Sequence, residues 1–420
     1  MRSLVIAYEY PWPVNSGSRH RLSTTLQALS RCGPTRLFSI TPASRTDFGE
    51  PDPALRLEGV RRVPVEAARG GVGSLVHPLL PSTIPTTARR EVTRALAAFS
   101  GAAPDLVWFF DLRSWVLSGG PRPAPAVLDL DDLEHHKIQG RLSVDPDDDQ
   151  RGSAPGGSGP RRAGGRMSRI PGRTLSRLDA ARWARLSRTA SSRVERTVVC
   201  SELDAERAAA DGIERLAVVP NAYARPTRPA GRSDVGQPPV VLFHGTLRYP
   251  PNADAARWLA RGIAPALRAR VPEVEVRLAG LSTPTLAELH DPPGITLVGQ
   301  VPDITTELAR ADVVIVPIRF GSGTRVKIIE AFAHRIPVVS TTMGAEGLGV
   351  EHGQQLLLAD TTEDLASACA ALLAKRPLRD RLVEAAYTHY VGAFERDVVG
   401  QRVAEVARAA MGESVRVASG

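Results

Sequence analysis

The chain has 420 residues, a length that indicates two domains rather than one small module. Its 43% hydrophobic and 23% charged residues exclude a collagen-like or wholly disordered protein. The net charge of +8 arises in residues 151–196, where twelve arginines outnumber two acidic residues, so the remainder of the chain is slightly acidic. Such a concentration predicts a basic patch or arm rather than a nucleic-acid groove, which draws its basic residues from several elements.

The amino-terminal sequence and the cysteines indicate a cytoplasmic protein. Cys32, Cys200 and Cys369 are far apart, odd in number and without metal-ligand spacing, which predicts reduced thiols in the core. The apolar run at 4–7 is too short for a signal-peptide core, and no stretch approaches the length of a membrane span. An alternative is a cytoplasmic protein that contacts the inner face of the membrane peripherally.

The first half alternates short apolar runs with helical patterns, which is typical of a parallel sheet covered by helices. We predict a helix at 20–31 after a loop that contains Gly17, and strands at 4–8, 36–40, 106–110 and 126–130. Residues 140–172 contain almost nothing apolar and predict a low-complexity insertion. Order should resume with a helix at 173–196, whose apolar stripe includes Leu175 and Leu178, and with strands at 197–200 and 216–219.

The second half repeats the alternation after a linker at 224–239 rich in proline, glycine and charge. Helices are predicted at 253–270 and from 324 onward, and strands at 240–243, 274–278, 295–298, 313–317 and 338–340. The fold class is therefore α/β, with two facing Rossmann-like domains that bind ligands at the carboxyl ends of their strands. The predicted boundaries are a first domain at 1–223, a second at 240–385, and at 386–420 a helix that packs back on the first domain.

The most informative segment is 313–348, in which a buried strand leads through glycines into a helix. Gly321 and Gly323 permit close backbone approach, and a helix start favours an anion. Arg325 and Lys327 add two cations in a chain that has only three lysines. Lys327 and Glu330 share a helix face, so a phosphate would lie beside a carboxylate able to accept two sugar hydroxyls, the chemistry of a nucleotide sugar. The alternative is a solvated first turn with a local Lys–Glu pair.

The segment GTRVKIIEAFAHRIPVVSTTMGAEGL at 323–348 resembles the donor-binding segment of the GT-B-fold glycosyltransferases of family 4. It is most similar to the subgroup that reads GGTR-x-K-x-x-EAMA. The resemblance extends to PNA at 220–222, to FHGTLRYPPNADA at 243–255 and to the glycine loop around Gly17, and it covers the chain apart from 140–172. It implies a GT-B fold and a retaining glycosyltransferase that uses a nucleotide-diphosphate sugar.

The resemblance assigns the sugar and ribose contacts by position. The family's second motif glutamate matches Glu330, which would bind the ribose hydroxyls. Its first glutamate falls on Ser322, so this chain lacks a carboxylate that helps to hold the donor sugar. Glu346 would lie close to the nucleoside, although a surface-loop role is an alternative.

The diphosphate contacts follow in the same way. The family's Arg and Lys after the first strand of the second domain fall on the uncharged Thr246 and Pro251. The expected diphosphate site is therefore made of other residues: Arg325 and Lys327, with Arg248 as a weaker candidate, and the loop residues Gly17, Gly321, Gly323 and Thr324. Because two cations can neutralise a diphosphate, we expect neither a metal nor a cofactor.

A second cluster lies in LDLDDLEHHK at 128–137, at the end of a predicted strand. We select Asp131 and Asp132 as catalytic candidates for acceptor binding or proton handling. A metal site is an alternative, because Asp129 and Asp131 imitate the DxD of GT-A transferases; we discount it since those enzymes use a single nucleotide domain. A third interpretation is a helix start enriched in acidic residues by the helix dipole.

The predicted function is transfer of a sugar from a nucleotide-sugar donor to an acceptor in polysaccharide, glycolipid or glycosylated natural-product synthesis. The acceptor is a sugar, a lipid-linked molecule or a small molecule, and no nucleic acid is expected. Alternatives are a nucleotide-sugar epimerase of the same fold and a non-catalytic nucleotide-sugar-binding scaffold. Residues 151–196 predict either contact with an anionic membrane or a solvated outer face.

Overall fold

The computed structural model describes residues 1–66, 79–99, 101–120, 123–143, 172–230, 237–321, 323 and 325–412. Most of the insertion predicted at 140–172 lies outside these residues, and so do 413–420. Among the described helices, none combines the length and hydropathy needed to cross a bilayer. The three cysteines are free; Cys200 and Cys369 are buried as predicted, whereas Cys32 is only partly buried.

The first half of the chain forms a seven-stranded parallel sheet in the order β3-β2-β1-β4-β5-β6-β7. Its strands are β1 (Ser3–Ala7), β2 (Thr35–Pro42), β3 (Leu57–Val65), β4 (Leu106–Phe110), β5 (Ala126–Asp129), β6 (Arg196–Val199) and β7 (Leu216–Val218). Its helices are α1 (Gly17–Cys32), α2 (Arg89–Phe99), α3 (Leu112–Leu117), α4 (Glu134–Ser143), α5 (Gly172–Ser191) and α6 (Glu202–Ala210). The central strands β1 and β4 are buried on both faces, as parallel strands under two helical layers must be.

The second half forms a six-stranded parallel sheet in the order β10-β9-β8-β11-β12-β13. Its strands are β8 (Val240–His244), β9 (Glu275–Ala279), β10 (Ile295–Gly299), β11 (Val313–Val316), β12 (Val338–Ser340) and β13 (Leu357–Leu358). The helices are α7 (Pro250–Trp258), α8 (Ala264–Arg268), α9 (Thr305–Leu308), α10 (Val326–Ala333), α11 (Thr362–Ala374), α12 (Arg376–Ala393) and α13 (Arg396–Ala410). Two parallel sheets in series confirm the predicted α/β fold class.

The last helix returns to the first sheet's side, as predicted, but it starts later than residue 386. α12 belongs to the second half, where Tyr390 is part of the hydrophobic core. The helix is interrupted at Phe394 and Glu395. The Glu395 side chain caps α13 by accepting a hydrogen bond from the backbone N–H of Asp397. α13 packs on α1, and Arg31 pairs with Asp397 at 2.6 Å. The return therefore begins at this break.

The apolar stripe predicted for 173–196 is correct from Trp183 onward, where Ala190 and Val194 are also buried. Trp183 and Leu186 are buried in the first core, whereas Leu175 and Leu178 are 48% and 50% exposed. Leu175 and Leu178, in the first turns of α5, therefore lie outside the core. Contact of 151–196 with an anionic membrane stays a prediction, and its residues 151–171 lie outside the described part of the chain.

Candidate functional site

A glycine loop joins β11 to α10 at the carboxyl end of the second sheet. Gly321 and Gly323 have φ values of 131° and 76°, a region that side chains other than glycine rarely adopt. A side chain at 323 would also overlap the carboxylate of Asp132 from the first half of the chain. α10 begins at Val326 rather than at 324, because Arg325 has a non-helical backbone. Ser322 and Thr324 lie outside the described residues.

Lys327 lies in the first turn of α10, and its surroundings exclude a solvated Lys–Glu pair. Its Nζ donates to Asn252 Oδ1 at 2.8 Å and lies 4.5 Å from the centre of the Phe243 ring. Burial, reinforced by Arg325 and opposed by Glu330, lowers the pKa of Lys327 to about 7. The amine is thus poorly solvated and gains from any anion that reaches it.

Glu330 is 9% exposed, one turn further along α10. Its carboxylate oxygens lie 3.7 Å from His244 Nδ1 and 3.9 Å from His20 Nε2. Burial lowers the pKa of His244 to about 3 and that of His20 to about 4, so both rings are neutral at pH 7. Burial also raises the pKa of Glu330 to about 7, against the opposing effect of Lys327. Within the described part of the chain the Glu330 carboxylate has no short hydrogen bond, so it is available to accept hydroxyl groups.

The first turn of α1 faces the start of α10. Gly17 begins α1, and a methyl group there would lie 3.3 Å from Val326 Cγ2. His20 follows one turn later and reaches Glu330, a contact that sequence reasoning missed. Two helix starts thus meet beside Lys327, which favours an anion there.

Of the two predicted catalytic aspartates, the structure brings Asp132 to the glycine loop. Its carboxylate faces Gly323 and accepts from Lys137 Nζ at 3.2 Å. Asp131 lies next to Cys200, whose Sγ donates to the Asp131 carbonyl at 3.0 Å. Burial and then Asp132 raise the pKa of Asp131 to about 7. Asp132 is therefore the aspartate positioned opposite the loop.

The Asp129 carboxylate is held by hydrogen bonds from other residues in the first half of the chain. Its Oδ1 accepts from Arg21 Nη2 at 2.6 Å and from Nε at 2.9 Å, and Trp108 Nε1 donates to its Oδ2 at 3.3 Å. Arg21 also donates to the carbonyl of Val219 at 2.7 Å, and its side chain, like that of Asp129, is at most 2% exposed. This pairing removes Asp129 from any metal site of the DxD type.

The buried pair supports a stability prediction. Arg21→Ala should lower the free energy of unfolding by about 3–5 kcal/mol, because Asp129 would keep a buried charge without its partner. The control is Arg31→Ala on the same helix, whose pair with Asp397 is more than half exposed and is worth less than about 1 kcal/mol. Urea denaturation measures both variants; equal losses would show that the buried pair does not hold the domain.

Glu346 and Arg248, also predicted for the site, hydrogen-bond to other parts of the chain. The Glu346 carboxylate is held by both terminal nitrogens of Arg207 in α6, at 2.5 and 3.1 Å. Arg248 is exposed, and its Nε donates to the carbonyl of Ser282 at 3.4 Å. Contacts of these two residues with a donor stay predictions.

Comparison with known proteins finds a family match over the segment that contains Lys327 and Glu330. Residues 238–375 match the profile of the family described as Glycosyl transferases group 1. A protein of Klebsiella pneumoniae, described as an uncharacterized 44.6 kDa protein in the cps region, is 28% identical over 129 residues, or 29% of this chain. That match spans only 33% of the relative's length.

Three solved structures share the fold over nearly the whole chain. Sucrose-phosphate synthase from Thermosynechococcus elongatus has a TM-score of 0.68 at 15% identity and covers 98% of this chain and 99% of its own. HepE of Anabaena, solved with UDP and glucose, has a TM-score of 0.61 at 14% identity and coverages of 96% and 98%. The lipopolysaccharide outer core galactosyltransferase WaaB has a TM-score of 0.54 at 10% identity, with the same coverages. The chain thus has the two-domain GT-B fold, and its residues 238–375 match the glycosyl transferases group 1.

Proposed function

We propose that this protein is a retaining glycosyltransferase that moves a sugar from a nucleotide-diphosphate sugar to an acceptor hydroxyl. The observation that carries the proposal is the cluster of Lys327, Glu330 and the glycine loop, which faces Gly17 and His20 across the cleft. The profile match over 238–375 supports sugar transfer as the reaction class.

The diphosphate of the donor would bind at the start of α10. Backbone N–H groups and the helix dipole offer an anion site there, and Lys327 and Arg325 add charge. Arg325 Nη1 already reaches the carbonyl of Gly323 at 2.8 Å, so its guanidinium lies over the loop. Glu330, beside Lys327 and buried, would accept the two ribose hydroxyls. The UDP in the HepE structures supports a uridine nucleotide as the first probe.

Catalysis would depend on charge stabilisation and position. The bond between the sugar's anomeric carbon and the diphosphate oxygen breaks as Lys327, Arg325 and the helix start stabilise the departing charge. The acceptor oxygen forms the new bond on the face that the diphosphate vacates, and its proton passes to the leaving oxygen. Asp132, opposite the loop, would orient the acceptor hydroxyl. No metal is required in this scheme.

The acceptor is proposed to be a growing polysaccharide or a glycolipid. The shared fold with WaaB, a lipopolysaccharide galactosyltransferase by description, supports this class. Ser322 stands here at the position of the family's sugar-binding glutamate, so a panel of UDP sugars identifies the donor sugar.

Donor hydrolysis without acceptor tests the proposal. The full chain is incubated with the UDP sugar that stabilises it most, and proton NMR follows the sugar. We expect slow release of UDP and of a free sugar that first appears with the donor's anomeric configuration. Inversion would contradict retention. Tight binding without release would indicate a scaffold, and conversion to a second UDP sugar would indicate an epimerase.

A further inference from the structure

Three metal-binding side chains meet in the first half of the chain, outside the donor cluster. The Nε2 atoms of His135 and His136 lie 2.6 and 2.8 Å from the same carboxylate oxygen of Asp211. The two imidazole rings are 4.4 Å apart. Among the described residues, this is the group whose His and Asp ligand atoms all lie within 4.8 Å of one another.

The ligands come from two elements that the fold holds in place. His135 and His136 belong to the first turn of α4, which follows β5. Asp211 ends α6: its N–H donates to the carbonyl of Arg207 at 3.0 Å, and its own carbonyl accepts from Arg188. The carboxylate thus extends from a fixed backbone position toward two adjacent histidines.

The Nε2 atoms make the hydrogen bonds that hold the two histidine rings in place. His135 is 2% exposed, and its Nδ1 has no hydrogen-bond partner among the described residues. A ligand at Nε2 would therefore replace only the hydrogen bond to Asp211. His136 is partly exposed, which gives an ion a path from solvent.

The distances between the ligand atoms would suit an ion such as Zn²⁺ if the three side chains moved slightly apart. Zinc bonds to imidazole nitrogen and carboxylate oxygen are about 2.0–2.2 Å, so neighbouring ligands around a tetrahedral ion lie roughly 3.3 Å apart. The two nitrogen–oxygen separations, now 2.6 and 2.8 Å, would have to lengthen by about 0.5–0.7 Å to admit the ion. Imidazole and carboxylate favour Zn²⁺ or Co²⁺ over Mg²⁺, which prefers oxygen ligands.

We propose that His135, His136 and Asp211 bind one Zn²⁺ ion, with water as the fourth ligand. The ion would clamp the first turn of α4 to the end of α6. α4 also carries Lys137, which holds Asp132 against the glycine loop. The clamp would thus stabilise the first-domain wall of the cleft, and it is separate from the diphosphate site, for which no metal is proposed.

Calorimetric titration of the full chain with ZnCl₂ tests the site in the absence of any nucleotide. We expect one Zn²⁺ per chain, no heat from MgCl₂ beyond dilution, and the intense visible absorption of tetrahedral Co²⁺ when CoCl₂ is added. His136→Ala and Asp211→Asn should each weaken Zn²⁺ binding at least about tenfold and abolish the Co²⁺ absorption.

The controls separate a lost ligand from a lost fold. His136 is partly exposed and Asp211→Asn preserves size, so the circular dichroism spectrum of both variants should match that of the original chain. His352→Ala, an exposed histidine of the second domain, should bind Zn²⁺ normally. The proposal is overturned if the original chain binds no Zn²⁺, or if both variants retain its affinity. In that case the histidines would only donate hydrogen bonds to Asp211.

Discussion

Lys327→Ala should weaken the binding of UDP about 10–100-fold. A hydrogen bond to a charged group contributes about 1.5–3 kcal/mol, and each 1.4 kcal/mol is tenfold in affinity. The loss should extend to inorganic pyrophosphate, because the amine would contact the diphosphate and not the nucleoside. Calorimetry measures both ligands. The chain has three lysines, and the exposed Lys375 supplies the matched control Lys375→Ala, which should bind both ligands normally.

The same lysine predicts proton uptake on binding. Its pKa is about 7 in the unliganded protein, so at pH 8 the amine is mostly neutral. A bound diphosphate favours the charged form and raises this pKa, so UDP binding at pH 8 should take up close to one proton. Titrations in buffers of different ionisation enthalpy measure the uptake. If Lys327→Ala takes up as many protons as the original chain, the lysine does not contact the diphosphate.

Glu330→Gln should weaken UDP binding by about 10–100-fold while leaving pyrophosphate binding nearly unchanged. The amide retains one acceptor oxygen but loses the charge that strengthens hydrogen bonds from two ribose hydroxyls. Comparison of the two ligands therefore separates a ribose contact from a phosphate contact. The exposed Glu351→Gln in the same domain is the control and should bind UDP normally. Equal weakening of UDP and pyrophosphate would contradict a ribose contact.

Glu330 also predicts how stability depends on pH. Its pKa is raised from 4.5 to about 7 in the folded protein, because burial disfavours the ionised form. This contribution to stability is present below pH 4.5 and is lost as the pH rises toward 7. The amide of Glu330→Gln does not ionise, so the variant does not lose this stability as the pH rises. Between pH 5 and pH 8 its Tm should therefore rise relative to that of the original chain. A constant difference in Tm would show that the carboxyl group does not titrate in this range.

The parallel strands could be predicted from the sequence because their apolar runs leave few alternatives. The predicted strand 106–110 matches β4, and 338–340 matches β12. β3 was missed, since it is an edge strand paired only with β2 and carries the exposed Arg61 and Arg62. Leu175 and Leu178 were wrongly assigned to the core, because helical spacing cannot show where the neighbouring layer ends.

Residues of the site could be predicted segment by segment, but the contacts between distant segments could not. Lys327 and Glu330 follow one glycine loop, so their spacing already indicated a shared face. The approach of His20 to Glu330 depends on how the two domains meet, which local periodicity does not encode. Asp129 was ambiguous for the same reason, because its partner Arg21 is 108 residues away.

The central claim is that Lys327 and Glu330 bind a nucleotide-sugar donor. Thermal-shift measurements with UDP, GDP, ADP and TDP, and with the common nucleotide sugars of each, test it most directly. A ligand that binds only the folded state stabilises it by RT ln(1 + L/Kd), where L is the free ligand concentration, and so raises its Tm. We predict that the diphosphate and sugar forms of one nucleotide raise the Tm of the original chain and of Lys375→Ala equally, and raise that of Lys327→Ala much less at the same ligand concentration. The claim would be contradicted if no nucleotide raises the Tm, or if the shift is undiminished in Lys327→Ala and Glu330→Gln.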